Sequence, residues 1–252
     1  MKATINTDFA SFEVDLNQPV DISIPISNSP KSPKAWYVDA VKIEPVMTEH
    51  FTGDVNLGGT VNFRNIFFNP HGNGTHTECV GHISKEFYSV NDVKQFFFLA
   101  QLISVTPNKK ENNDLEIGAN QISDIQKNVQ ALVVRTLPNV DSKLNRDYSN
   151  TNPAYFTSEV AELLNKKNIE HWLVDLPSVD KELDGGVLAC HHVFWNYPQQ
   201  PALHKTITEF IFVPDEVSDG LYLLNLQFAP FVNDASPSKP LLFKIHNYVS
   251  KS

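Results

Sequence analysis

The chain has 252 residues, 41% of them hydrophobic and 19% charged, with only 10 glycines, a composition that supports a sizeable buried core and excludes disordered or collagen-like structure. Twenty basic residues against 29 acidic ones leave a net charge of -9, so the average surface repels a phosphate backbone and nucleic acid is not an expected partner. Two distant cysteines, a start without a basic and apolar leader, and no uninterrupted run of about 18 apolar residues give the expectation of a cytoplasmic protein that needs neither disulfide nor membrane.

In chain order, residues 20–24 alternate as a strand does, and residues 28–34, with Pro30 and Pro33, form a loop. Residues 96–105 are a long apolar run and residues 131–136 a short β-branched one, separated by a polar loop at 107–113. After a loop at 139–153 comes the clearest helix, 158–167. Val160, Leu163 and Leu164 recur there at helical spacing, Thr157 stands ready to cap the start, and Glu159 lies in the first turn. Strands follow at 171–176 and 208–213, and Asp219-Gly220 reads as a hairpin-type turn before an apolar run at 221–228. No repeat or biased linker divides residues 1–252, so one mixed α/β domain with much antiparallel sheet is expected.

The segment Asn69-Pro-His-Gly-Asn-Gly-Thr-His-Thr-Glu-Cys-Val-Gly-His82 concentrates histidines, a glutamate and glycines as no core strand requires. In an extended chain His76, Glu78 and His82 share parity and so one face. Imidazole and carboxylate together suit zinc or manganese. His71 has the opposite parity and joins them only through a bulge or bend at Gly72, Asn73 or Gly74. Against this stands the bland alternative of a polar surface turn. Cys79 invites a nucleophile reading, yet its side chain faces away from the neighbouring ligand candidate, and a small buried residue explains it.

These residues resemble the signature His-x-Gly-Thr-His-x-Asp-x-Pro-x-His of the cyclase or kynurenine formamidase-like metal hydrolases, which include isatin hydrolases. Residues 74–82 follow it in register, with Glu78 in place of the aspartate, Val80 in place of the proline, and His71 one residue earlier than the pattern. Val20-Asp-Ile-Ser-Ile-Pro-Ile26, Ala131-Leu-Val-Val-Arg-Thr136, Asp175-Leu-Pro-Ser-Val-Asp180, His191-His-Val-Phe-Trp195 and Ile207-Thr-Glu-Phe210 resemble further family segments. An insertion around 198–201 lengthens the gap between the last two.

The resemblance implies a swivelling β/α/β-type fold around a mixed, barrel-like sheet, and one or two divalent ions, zinc or manganese. His71, His76, Glu78, His191 and Glu209 would be ligands, with His191 selected over His192 by the family spacing. His82 would transfer protons, and Trp36 would lie over the substrate. It further implies hydrolysis of a carbon–nitrogen bond in a small aryl formamide or cyclic amide, by a homodimer or homotetramer. Two other readings stand beside it: a metal- or ligand-binding protein of the same fold without hydrolytic activity, and a metal enzyme of another reaction such as dehydration or ring closure.

Overall fold

Four strands buried on both faces form the centre of the molecule in the computed structural model, which describes residues 1–251. They are Phe97–Val105, Ala131–Thr136, His171–Val174 and Thr206–Glu209, and each pairs in parallel with the next. The first three are mostly apolar, as suits strands of a parallel sheet covered on both sides. Alternation then divides the side chains. Leu132, Val134, Trp172 and Val174 join one core cluster, while Ala131, Val133 and Leu173 join the other.

Antiparallel strands extend this centre on both sides. Beyond Thr206–Glu209 lie His76–Glu78 and then Ala235–Pro237; beyond Phe97–Val105 lie Gly220–Asn225, Leu241–Lys244 and Val20–Asp21. The result is a mixed nine-stranded sheet curled into a half-barrel, with strands far outnumbering helices. The helix Ser158–Lys166 covers one face through Val160, Ala161 and Leu164. A three-stranded sheet of Lys2–Asn6, Ala10–Asp15 and His246–Ser250 adds Phe12 and Val14 to that same core cluster. The hairpin Lys42–Pro45 with Arg64–Phe67 stands apart as an arm that exposes Met47, Leu57, Phe63, Ile66 and Phe67. No helix among the described residues is long and apolar enough to cross a membrane.

Three local expectations need correction. The strand expected at 208–213 runs instead over Thr206–Glu209, because Phe210 takes a left-handed backbone (φ 56°) that ends it. Asp219-Gly220 makes no hairpin between neighbours: Gly220–Asn225 pairs with Phe97–Val105 and Leu241–Lys244, and Asp219 accepts hydrogen bonds from Ser104 and Arg135. Thr157 occupies the helix N-cap, but its side chain makes no capping bond.

Candidate metal centre

The strand His76–Glu78 is wedged between Thr206–Glu209 and Ala235–Pro237, and its register places His76 opposite Glu209. Gly74 turns the chain into it at φ 126°, where a side chain would be strained. Thr75 then locks the entry, accepting from the Ile24 backbone N–H at 2.7 Å and donating to the Phe210 carbonyl. His76 and Glu78 face the same side, as alternation requires. His82 arrives by another route than strand parity: the chain leaves the strand at Cys79 and winds one 3-10 turn, Val80–His82, which brings His82 Nδ1 to 3.9 Å from Glu78 Oε2. The bend needed for His71 is present. Asn69 Oδ1 accepts from the backbone N–H groups of His71 and Gly72, and His71 Nδ1 sits 2.9 Å from Glu78 Oε2.

His191 comes from the short helix Ala189–Phe194 and is buried with its Nε2 3.0 Å from Glu78 Oε1 and 3.9 Å from Glu209 Oε1. His192 turns away to the Tyr197 carbonyl. Within the described residues, His71, His76 and Glu78, and again Glu78, His82 and His191, lie close enough to share an ion. Glu209 Oε2 stands 3.5 Å from His76 Nε2.

Each buried ring is held by one nitrogen and presents the other. His76 Nδ1 pairs with the Gly74 carbonyl at 3.0 Å, so it carries the proton, and Nε2 points a lone pair into the site. That Nε2 is buried without a hydrogen-bond partner, as is Glu78 Oε2, which lies near His71 without the angle of a hydrogen bond. His191 Nδ1 pairs with Asp180 at 2.6 Å. A carboxylate behind a histidine, as Asp180 stands behind His191, is the usual outer layer of a metal site.

The charges agree with a place for a cation. Burial opposes a charged ring at His191, yet contacts with Asp180 and Glu78 carry it up to about 10. Burial likewise opposes charge at His71, and Asp234 and Glu78 raise it to about 10. Glu78, despite full burial, is held well below the carboxylate range by His82, His191 and His71. The carboxylates gather positive charge around themselves, and a divalent ion could supply that charge in place of protons.

A cavity of about 480 Å³ opens onto these groups and is lined by Trp36, His71, His82, Lys181, His191 and Glu209. Trp36 and Tyr37 both have left-handed backbones (φ 59° and 58°), fixed by bonds from Ala35 N–H to the Gly72 carbonyl and from Tyr37 N–H to Ser149. Strain of this sort persists where neighbours impose it, and sites collect it. A larger groove of about 680 Å³ along the arm shares Val38 and Asn69 with this cavity but holds none of the metal-capable cluster. Cys79 is buried, and desolvation pushes its thiol up to about 12, which removes it as a nucleophile.

Two residues were given no role by the sequence. Asp180 lay in a quoted family-like segment, and that segment was its signal. Asp234, 2.8 Å from His71 Nε2 and 3.5 Å from His82 Nδ1, lies in a stretch without any motif.

With this geometry established, comparison with known proteins places the chain. The sequence profile of the Cyclase family matches residues 14–181. The chain belongs to the Cyclase family. A kynurenine formamidase from Bacillus cytotoxicus is 28% identical in a 228-residue alignment that covers 88% of this chain and 96% of that protein. Among solved structures, a potential metal-dependent hydrolase with cyclase activity superposes with a TM-score of 0.64 at 18% identity, over 90% of this chain and 98% of its own. Isatin hydrolase A from Labrenzia aggregata, bound to benzyl benzoate, superposes with a TM-score of 0.65 at 17% identity, over 90% of this chain and 93% of its own. At such identities the structural likeness establishes the Cyclase fold. His191 and Glu209 lie beyond the matched profile, so their place in the site rests on this chain's own geometry.

Proposed function

We propose that this Cyclase-family chain is a metal-dependent hydrolase that cleaves the carbon–nitrogen bond of a small amide, an aryl formamide or a cyclic aryl amide, with water. The observation that carries the reading is the convergence of the His76 and His191 Nε2 atoms on Glu78 and Glu209 in a buried pocket. Such groups are costly to bury unless a cation joins them. His71, His76, Glu78, His191 and Glu209 would hold one or two ions, and their nitrogen and oxygen donors suit zinc or manganese. A divalent ion so held acidifies water and polarises a carbonyl.

The remaining work falls to the chain's own side chains. His82, with its side chain 30% exposed at the cavity, takes the proton from attacking water and returns it to the departing nitrogen. Trp36 offers a flat wall for an aryl ring. The kynurenine formamidase relative and the isatin hydrolase neighbours support a planar amide as substrate. We place the enzyme in the cytoplasm and propose a homodimer or homotetramer; the apolar surface of the arm supports self-association, and light scattering on the purified chain tests it.

The central test combines elemental analysis of protein purified without chelator with assays on aryl formamides and cyclic aryl amides. Retained zinc or manganese and a turnover abolished by chelation are expected. Folded protein that holds and rebinds no metal overturns the reading and leaves a ligand-binding protein. Metal without amide cleavage would redirect it to dehydration or ring closure.

A further inference from the structure

We infer that Asp234 is a positioning residue of the metal centre: it grips the His71 ring by Nε2 and so makes Nδ1 the nitrogen that faces Glu78. The inference rests on the metal-dependent reading above.

The argument begins with the displaced histidine. His71 stands one residue earlier than the family pattern, and the turn at 69–74 must deliver its ring from a different approach. His76 and His191 are each tied by Nδ1, to the Gly74 carbonyl and to Asp180, and present Nε2. His71 is arranged the other way about. Its Nε2 lies 2.8 Å from Asp234 Oδ2 and its Nδ1 2.9 Å from Glu78 Oε2. With a cation held on the Glu78 side of the ring, the one proton of a neutral His71 would lie on Nε2, where the Asp234 carboxylate accepts it, and the lone pair on Nδ1. Asp234 is the acceptor that selects that tautomer, and with the stacked His82 ring it holds the rotation.

The position of Asp234 is itself built into the fold. The register sets Ala235 opposite Glu78, the Asp234 carbonyl accepts from Cys79 N–H at 3.0 Å, and the Asn233 carbonyl accepts from Val90 N–H at 2.9 Å. Gly81 leaves the room it needs, since a Cβ there would meet the Tyr88 carbonyl oxygen at 2.2 Å and Asp234 Cβ at 3.1 Å. The same carboxylate oxygen stands 3.5 Å from His82 Nδ1, and the His82 ring stacks on His71 at 4.2 Å between centroids. One carboxylate therefore steadies both the displaced ligand and the ring stacked upon it.

Zinc affinity of the full chain, measured by competition with a chromophoric chelator, tests this. Asp234→Ala is expected to weaken zinc binding about 10- to 100-fold, the usual effect of removing an outer partner of a metal histidine. Asp234→Glu should recover most of the loss. The double variant His71→Ala/Asp234→Ala should bind no more weakly than His71→Ala alone, because the effect runs through that ring. Nitrogen-15 spectra of the zinc-loaded wild type should place the His71 proton on Nε2. Should Asp234→Ala not fold, Asp234→Asn keeps the shape and supplies the same comparison. Wild-type affinity in the variant, or losses that simply add in the double variant, overturn the inference while leaving the hydrolase reading intact. A wild-type chain that binds neither zinc nor manganese overturns the metal reading and this inference with it.

Discussion

His171 shows how much one buried side chain can impose. Its ring lies 3.8 Å from that of Phe98 and pairs by Nδ1 with Thr206 Oγ1, and burial, with His204 and Lys205 nearby, pushes it down to about 3. In the unfolded chain the ring titrates near 6.5. Between those values the unfolded state binds a proton that the folded state refuses, so stability falls as pH drops through that window, by an amount on the order of a few kcal/mol. Chemical unfolding of chelator-treated protein between pH 7 and 4 should show this slope, and His171→Asn should flatten it; equal slopes would sink the assignment. At the proposed site, His82→Ala should lower kcat about 10²- to 10⁴-fold without loss of bound metal. If turnover survives in that variant, another group moves the proton.

Among the elements, the end of the central strand Ala131–Thr136 depends on a short 3-10 segment, Asp141–Asn145. From it Lys143 Nζ donates to the Thr136 carbonyl at 2.6 Å and to Asp175 Oδ2 at 2.7 Å. Burial pushes the Asp175 carboxyl up, and Lys143 is the countercharge that answers it. Asp175 also accepts from Thr136 N–H and Oγ1, so the ends of two neighbouring strands are tied through one carboxylate. Lys143→Met leaves that carboxylate buried without its charge partner and should cost about 3–5 kcal/mol. Urea unfolding reads the loss directly, and a change below about 1 kcal/mol would mean that the pair is not needed. Element boundaries were legible where the pattern was local: residues 131–136 and the helix starting at Ser158 stand where their apolar spacing put them. The spacing at 208–213 places the strand two residues late, because Phe210 leaves the strand with its N–H bonded to the Leu176 carbonyl, a partner that spacing along the chain does not reveal.

Over the whole molecule, the proposed ligands come from segments more than 100 residues apart, joined by the sheet that sets His76 beside Glu209. A cation shared among them, as proposed, would bind the folded chain and not the unfolded one. At a free concentration about a thousand times Kd this contributes roughly 4 kcal/mol. Chelation should accordingly lower the melting temperature by on the order of 10 °C, and zinc or manganese should restore it. A midpoint indifferent to both would speak against a structural contribution from the metal. The net charge of -9 leaves such ions free to approach.

What the sequence determined by itself is chemistry that depends on near neighbours. Strand alternation puts His76 and Glu78 on one face, and Gly74 permits the bend that admits His71; His191, Glu209 and Trp36 were candidates by family resemblance alone, and the fold sets all three around the same cavity. Tertiary structure alone decided the rest. The 3-10 turn rather than strand parity delivers His82, and Asp234 meets His71 across 163 positions of sequence through the pairing of the strand Ala235–Pro237 with His76–Glu78. Hydrogen bonding across a sheet is blind to distance along the chain, and a lone aspartate in an irregular segment carries no periodicity by which its partner is announced.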